Sequence, residues 1–196
     1  MNYSLPAGEV VVGVSNRHAH LSRQDLYTLF GEGHELTKIR DLVQPGQYAC
    51  AETVTIVGPK GSLEGVRILG PVRDKTQVEV SRTDSFKLGV DAPVRESGKL
   101  DGSPGLRIIG PKGTVDLEQG CIIAKRHIHM APEDAARLGC NDGDSVNIHF
   151  EKGSRRTVFA DVVVRVSPKY LLECHVDTDE ANAALMSTGD TVRVSK

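Results

Sequence analysis

The hexapeptide RHAHLS at residues 17–22 returns in near copy as RHIHMA at 126–131. Histidine is scarce, 7 in 196 residues, and the two copies take four of them. Each copy leads into a helix signal. Aligning 17–31 with 126–139 puts Arg17, His18, His20, Asp25 and Leu29 on Arg126, His127, His129, Asp134 and Leu138. Ser22 stands as an N-cap, with Asp25 three residues on and Gly31 as a stop. In the second copy Pro132 takes the first helical position, acids fill the first turn, and Gly139 closes it. The C-terminal stretch ECHVDTDEANAALMSTGD has the same grammar: His175, an Asp177/Glu180 capping box, an Ala-rich helix and Gly189. After the second and third helices come GDSVNIHF and GDTVRVSK, a Gly-Asp turn and then an alternating strand. The repeating unit is therefore a strand with histidine at its end, a short helix, a turn and another strand.

A second repeat has a different offset. IVGPKGSLEG at 56–65 matches IIGPKGTVDL at 108–117. Gly-Pro-Lys-Gly fits a tight turn between two strands, with Pro at its second position. Many short strands punctuated by Gly and Pro predict a mainly β protein with short helices, folded as two β-barrel domains capped by those helices. The stretch DAPVRESGKLDGSPG at 91–105 is the most linker-like. A division near 120 is preferred, because residues 1–120 then hold both GPKG hairpins and residues 121–196 hold both Gly-Asp strands.

Composition removes several classes of function. The chain is 39% hydrophobic and 26% charged with net charge −2, as ordinary globular proteins are. Near-neutral charge without a basic block argues against nucleic-acid binding. No apolar run reaches membrane-spanning length, and MNYSLPAGEV lacks the features of a signal peptide. Cys50, Cys121, Cys140 and Cys174 form no CxxC pair and read as reduced thiols of a cytoplasmic protein.

Residues i and i+2 of a strand share a face and stand roughly 6.5–7 Å apart, so two imidazoles at that spacing can converge on one metal ion. His18, His20, His127, His129 and His175 are five candidate nitrogen ligands. Glu79, in TQVEVSRTD, is an acidic candidate whose neighbours Val78 and Val80 take the opposite face. Five histidines and one carboxylate suit one or two zinc ions better than magnesium or calcium. His34, in a loop beside Glu35, and His149, on the polar face of SVNIHF, read as solvated bystanders.

The stretches GVSNRHAHLS, LVQPGQYACAETVTIVGPKG, VRILGPVRDKTQVEVSRTD, RHIHM and HVDTDEANAA resemble the PduL-type phosphate propanoyltransferases, the phosphotransacylases of bacterial microcompartments. The resemblance runs in order from about residue 11 to about residue 186. It implies a reversible reaction of a short-chain acyl-CoA with phosphate to give acyl phosphate and coenzyme A, at a dinuclear zinc site between two barrels. By motif, His18, His20 and Glu79 would hold one zinc, and His127, His129 and His175 the other. Arg73 would hold phosphate. Val14, Ser15, Asn16, Lys60, Arg67 and Asn182 would contact CoA. Arg17 and Arg126 fit either a phosphate role or pairing with a nearby acid. The family tends towards oligomers, so a homodimer is expected.

The chemistery of such a site needs no Ser or Cys nucleophile. Cys174 neighbours His175 but points to the other face of its strand, which argues against an acyl-cysteine route. A cupin-like metal enzyme uses one HxH set and leaves the second pair without a role. A dinuclear metallohydrolase acting on thioesters is nearer in chemistry, but its usual helix-rich or H-x-H-x-D-H scaffolds are missing, since Leu21 and Ser22 follow His20. A non-enzymatic zinc module would need closed, four-coordinate sites. Phe86 and Leu88 are pocket candidates and equally core candidates. Members directed to microcompartments carry an amphipathic N-terminal helix. Here about ten residues with Pro6 and Gly8 precede the first strand. The readings left are a cytoplasmic enzyme, or one with a targeting extension beyond this sequence and with shell or cargo proteins as partners.

Overall fold

The computed structural model describes residues 8–196. Pro6, and with it the stretch on which the targeting-helix argument turns, lies outside them. In chain order the elements begin with β1 (Glu9–Ser15), β2 (His18–His20), α1 (Arg23–Phe30), β3 (Lys38–Asp41), β4 (Tyr48–Val57), β5 (Ser62–Gly70), β6 (Gln77–Glu79), α2 (Arg82–Leu88) and β7 (Val94–Arg95). They continue with β8 (Arg107–Ile109), β9 (Thr114–Asp116), β10 (Cys121–Ala124), β11 (His127–Met130), α3 (Pro132–Leu138) and β12 (Ser145–Phe150). The last four are β13 (Thr157–Val166), β14 (Glu173–Asp177), α4 (Thr178–Ala184) and β15 (Thr191–Ser195). The fold is mainly β with four short helices among the described residues, as the sequence implies. No helix among them is long and apolar enough to cross a membrane.

The chain divides into two compact units. Among the described residues, one comprises 8–15, 43–45 and 125–196, the other 16–42 and 46–124. A single cut near 120 keeps both GPKG turns together and both Gly-Asp strands together, but it misplaces the first strand. β1 pairs in parallel with β14 and antiparallel with β15, and so belongs with the C-terminal residues.

The first unit is a closed six-stranded barrel in the order β1-β14-β11-β13-β12-β15. Its alternating strands aim Val10, Val12, Ile128, Met130, Val146, Ile148, Val162, Val164, Cys174, Val176 and Val192 into one core. With so few aromatics, β-branched side chains supply most of the packing on the pleated surface. β1 carries part of that core, so burying Val10 and Val12 is what draws it to the far end of the chain.

The second unit is a nine-stranded sheet running β7-β10-β6-β2-β5-β4-β8-β9, with β3 added on β4. It curves as half a barrel and, unlike the first, does not close. Its end strands are the two-residue β7 and the three-residue β9, too short to build a continuous seam. Its core is a separate cluster that includes Ala19, Leu21, Leu26, Leu29, Ile56, Ile68, Val78, Val80, Leu88 and Ile108.

Within this sheet a repeat emerges that the GPKG match only hinted at. HAHLSRQD at 18–25 corresponds to QVEVSRTD at 77–84. Ser22 and Ser81 are the two N-caps, and each side chain accepts from the backbone N–H of the aspartate three residues on, at 3.1 Å. Each GPKG turn then docks on the end of one of these helices. Lys60 N–H donates to Leu88 O at 2.9 Å at the end of α2, and Lys112 N–H to Leu29 O at 3.0 Å at the end of α1. The approach requires glycine. A Cβ on Gly58 would stand 2.3 Å from Leu88 O, and one on Gly110 would stand 2.4 Å from Leu29 O.

Candidate metal centres and phosphate site

In the sheet unit, β2 and β6 run antiparallel with His18 opposite Glu79 and His20 opposite Gln77. These four side chains share one face, because each pair is spaced i, i+2 and the strands are adjacent. The alternate residues Ala19 and Val78 are fully buried on the other face. In the barrel unit β11 and β14 repeat the arrangement, with His127 opposite His175 and His129 opposite Glu173. There Ile128 and Cys174 face the core. Each unit thus presents four chemistry-bearing side chains at the corners of a quadrilateral, immediately before helix N-caps.

The first set is compact. Donor atoms of His18, His20 and Glu79 all lie within 4.8 Å of one another. His18 Nε2 is 3.4 Å from Glu79 Oε2. Each imidazole is held by its other nitrogen: His18 Nδ1 donates to Asn16 O at 2.8 Å, and His20 Nδ1 to Leu69 O at 3.2 Å. A carbonyl can only accept, so both Nδ1 atoms carry a proton and the Nε2 atoms are the nitrogens turned towards the set, each with a lone pair when its ring is neutral. Burial, with the charges of His18 and Arg73 adding to it, pushes the His20 pKa down to about 3. For His18 burial acts in the same sense, but Glu79 outweighs it and raises the value. Gln77 Nε2 donates to Glu79 Oε1 at 2.6 Å, and Ser97 Oγ donates to the same oxygen at 3.1 Å.

Arg73 belongs to this neighbourhood. Its charge is felt by both His18 and His20. Its backbone N–H bonds Leu21 O at 2.9 Å, which ties it to the chain just after His20. Its guanidinium donates to Ser97 Oγ at 3.1 Å, and Ser97 passes the contact on to Glu79. Asp84, which starts the neighbouring helix with Ser81, is engaged by Arg17 at 2.8 and 2.9 Å.

The barrel set is built the same way. His127 Nδ1 donates to Lys125 O at 2.8 Å, repeating the bond from His18 to the carbonyl two residues before it. His127 Nε2 and His129 Nε2 are 3.1 Å apart. His129 is buried, with its pKa lowered to about 2 by burial and then by the charges of His127 and His175. Its Nδ1 is buried without a hydrogen-bond partner among the described residues. His175 Nε2 lies 2.8 Å from Glu173 Oε2, and Gln44 Nε2 donates to the same oxygen at 2.9 Å. Tyr170 stands edge-on to His129 at 4.3 Å between centroids, with the Arg165 guanidinium 5.8 Å from the Tyr170 ring.

These donors fit zinc. The carbonyl-backed Nδ1 atoms of His18, His20 and His127 are the outer-shell arrangement that metal-ligating histidines use. Nitrogen with a single carboxylate is a zinc-like donor set, not an all-oxygen one.

The candidate CoA contacts distribute over both units. Val14 and Ser15 sit on β1 paired with Val176 and Asp177, and Asn182 is exposed on α4. Asn16, Lys60 and Arg67 belong to the sheet unit. Arg67 Nη1 is tied to the carbonyls of Cys50 and Ala51 at 3.0 and 2.9 Å, and Lys60 is exposed on its turn.

The structure resolves several readings that the sequence left open and changes those of His34 and His149. Arg17 and Arg126 are structural cations: Arg126 pairs with Glu180 at 2.7 Å, as Arg17 does with Asp84. His34 is not simply solvated. It is hydrogen-bonded to buried Glu52 at 2.9 Å and stacked on Phe30, because its loop folds back over β4. His149 is half-exposed and bonds Ser195 Oγ at 2.8 Å, its partner coming from the adjacent β15. Leu88 is core, whereas Phe86 is exposed beneath the Arg82 guanidinium. Cys174 is fully buried and its thiol pKa is driven up, so it is no nucleophile.

Gln77, Glu173 and Ser97 escaped the sequence reading. Gln77 and Glu173 carried a signal, standing two residues before Glu79 and His175 in the spacing that singled out the histidine pairs. Ser97 carried none, since it lies in the stretch that reads as a linker.

The family model described as phosphate propanoyltransferase matches residues 11–187. A phosphate propanoyltransferase of Thermotoga maritima is 63% identical over 185 residues, covering 94% of this chain and 88% of its own. Those of Priestia megaterium and Salmonella typhimurium are 57% and 53% identical, covering 93% and 89% of this chain and 83% of their own. Histidine pairs on a helix-capped β scaffold, an arginine joined through Ser97 to the Glu79 that faces the first pair, and a match along nearly the whole chain lead to one conclusion: the chain belongs to the phosphate propanoyltransferase family of acyltransferases.

Proposed function

We propose that the protein catalyses acyl-CoA + phosphate ⇌ acyl phosphate + CoA with propanoyl or acetyl as the acyl group, using two zinc ions per chain, one at each four-cornered set. The observation that carries this is the joining of Arg73, through Ser97, to the carboxylate of the His18/His20/Glu79 set. His18, His20 and Glu79 would hold one ion, and His127, His129 and His175 the other. When bound, the ions supply Lewis-acid polarisation and an affinity for thiolate.

The remaining chemistry falls to the chain. The planar Arg73 guanidinium can take phosphate through two parallel hydrogen bonds and aim one oxygen at the thioester carbonyl. That converts a poor bimolecular attack into a near-unimolecular one. A C–O bond forms, the C–S bond breaks, and the proton of hydrogen phosphate ends on the CoA thiol. Ser97 and Gln77 hold Arg73 and Glu79 in register, so neither needs to reorganise. Val14, Ser15, Asn16, Lys60, Arg67 and Asn182 are proposed to receive CoA, the two cations suiting its phosphates.

The test is to follow thioester cleavage with and without phosphate while counting metal. Phosphate-dependent release of CoA with about two zinc ions per chain upholds the reading. Equal rates without phosphate would make the protein a thioester hydrolase.

A further inference from the structure

We infer that Glu173 is the carboxylate of the barrel's metal centre, acting with His127, His129 and His175. This rests on the reading that each four-cornered set holds one zinc ion. It adds a residue that the ligand set carried over by resemblance leaves out.

The argument starts from register. Superposing the antiparallel pairs places His127 on His18, His129 on His20, His175 on Glu79 and Glu173 on Gln77. In the sheet unit the third corner, Glu79, brings the negative charge and the fourth, Gln77, is neutral. In the barrel unit the third corner is His175, so the three histidines bring no compensating charge at all. Glu173 at the fourth corner supplies it. Each set then has two histidines on one strand and a single carboxylate on the other, with the carboxylate moved by one corner.

Geometry agrees. Glu173 is only 5% exposed. Its Oε2 is 2.8 Å from His175 Nε2, in the same quadrilateral where His127 and His129 bring their Nε2 atoms to 3.1 Å. A buried carboxylate is costly unless it meets a cation or several donors. Here it is held in place on purpose-shaped surroundings. Gln44 donates to it at 2.9 Å and is itself fixed by Leu171 O at 3.0 Å. Gly13 makes the space, since a Cβ there would stand 2.6 Å from Glu173 Oε1. The competing account is an ordinary His–Glu pair that serves folding alone. It predicts a cost in stability and none in metal binding.

Zinc titration of metal-stripped, full-length protein against a chromophoric chelator separates these accounts, with cobalt(II) as a spectroscopic probe. Wild type should take up two ions. One ion only would overturn the two-site reading itself, and this inference with it. With two ions in wild type, Glu173→Gln should weaken one of them by about 10–100-fold, leave the other unchanged, and alter the cobalt absorption of the weakened site. Glu173→Asp, which keeps the charge, should recover part of the loss. Two wild-type affinities and an unchanged cobalt spectrum in a folded Glu173→Gln protein would overturn the inference alone. If that variant does not fold, a crystal structure of zinc-loaded wild type decides. A Glu173 oxygen on the metal, or hydrogen-bonded to a group on it, upholds the inference; a carboxylate turned away and bonded only to Gln44 overturns it.

Discussion

His18 and Glu79 stand directly opposite each other on antiparallel β2 and β6, with Nε2 of one 3.4 Å from Oε2 of the other. They are 61 residues apart in the chain (79 − 18), and His20 completes the set from the same face of β2.

Replacing His18, His20 or Glu79 by Ala should each remove about one zinc ion per chain and most of the turnover, read by metal analysis and steady-state assay. His34→Ala and His149→Ala serve as comparisons. His149→Ala loses one neutral hydrogen bond, at about 1 kcal/mol, and His34→Ala one to the buried Glu52 carboxylate, at about 1.5–3 kcal/mol, with metal content and kcat retained in both. Damage from His149→Ala equal to that from His18→Ala would show that the site has been assigned to the wrong histidines.

Arg73→Lys keeps the charge and loses the planar fork. Zinc content and fold should be unchanged. kcat/KM for phosphate should fall by about 2–4 kcal/mol in transition-state terms, while CoA affinity changes much less. An ordinary surface ion pair would contribute about 0–1 kcal/mol to stability and nothing to phosphate kinetics. Phosphate varied at saturating acyl-CoA gives the answer, and wild-type kinetics would remove Arg73 from the site.

Gln77→Leu takes the amide donor from Glu79 Oε1 and leaves the ligand atoms in place. Zinc affinity at the His18/His20/Glu79 set should drop by about 10–100-fold. Chelator competition measures it, and an unaltered affinity would reduce Gln77 to packing.

Gly110→Ala forces a methyl group against Leu29 O. The GPKG turn must lift from the end of α1, at about 1–3 kcal/mol, measured by denaturant unfolding. The two histidine sets lie on other strands, so the folded variant should keep its specific activity.

Glu52 titrates below its ordinary value of 4.5: burial would raise it, but bonds from His34 and Thr37 outweigh burial and lower it. A carboxylate with a depressed folded pKa adds stability above its unfolded pKa and loses it as pH falls through the folded one. Glu52→Gln should therefore be less stable than wild type at pH 7, and the gap should narrow below about pH 4.5. A gap that persists unchanged into acid would mean that shape, not charge, is what Glu52 contributes.

Local patterns carried much of this protein. The spacing of His18 with His20, and of His127 with His129, puts each pair on one strand face by the pleat alone. Ser22 and the Asp177/Glu180 box mark helix starts through bonds that span only three residues, Pro132 marks one through its fixed φ, and all three helices start where the sequence places them. The mainly β class follows from the same short-range alternation.

What the sequence by itself could not determine is everything that depends on which strand lies beside which. β1 reads as the start of the first domain, yet it closes the barrel with β14 and β15, because Val10 and Val12 find their core there. Spacing puts Gln77 on the face of Glu79 and Glu173 on that of His175, but only antiparallel register sets them across from His20 and His129. Ser97 sits in an apparent linker and gains its place only when that loop returns to Glu79 and Arg73. Pleat and helix caps are properties of a few consecutive residues, so the sequence alone determines them. Register, closure and the return of a loop are selected by burial and hydrogen bonding across tens of residues, and only the tertiary structure decides them.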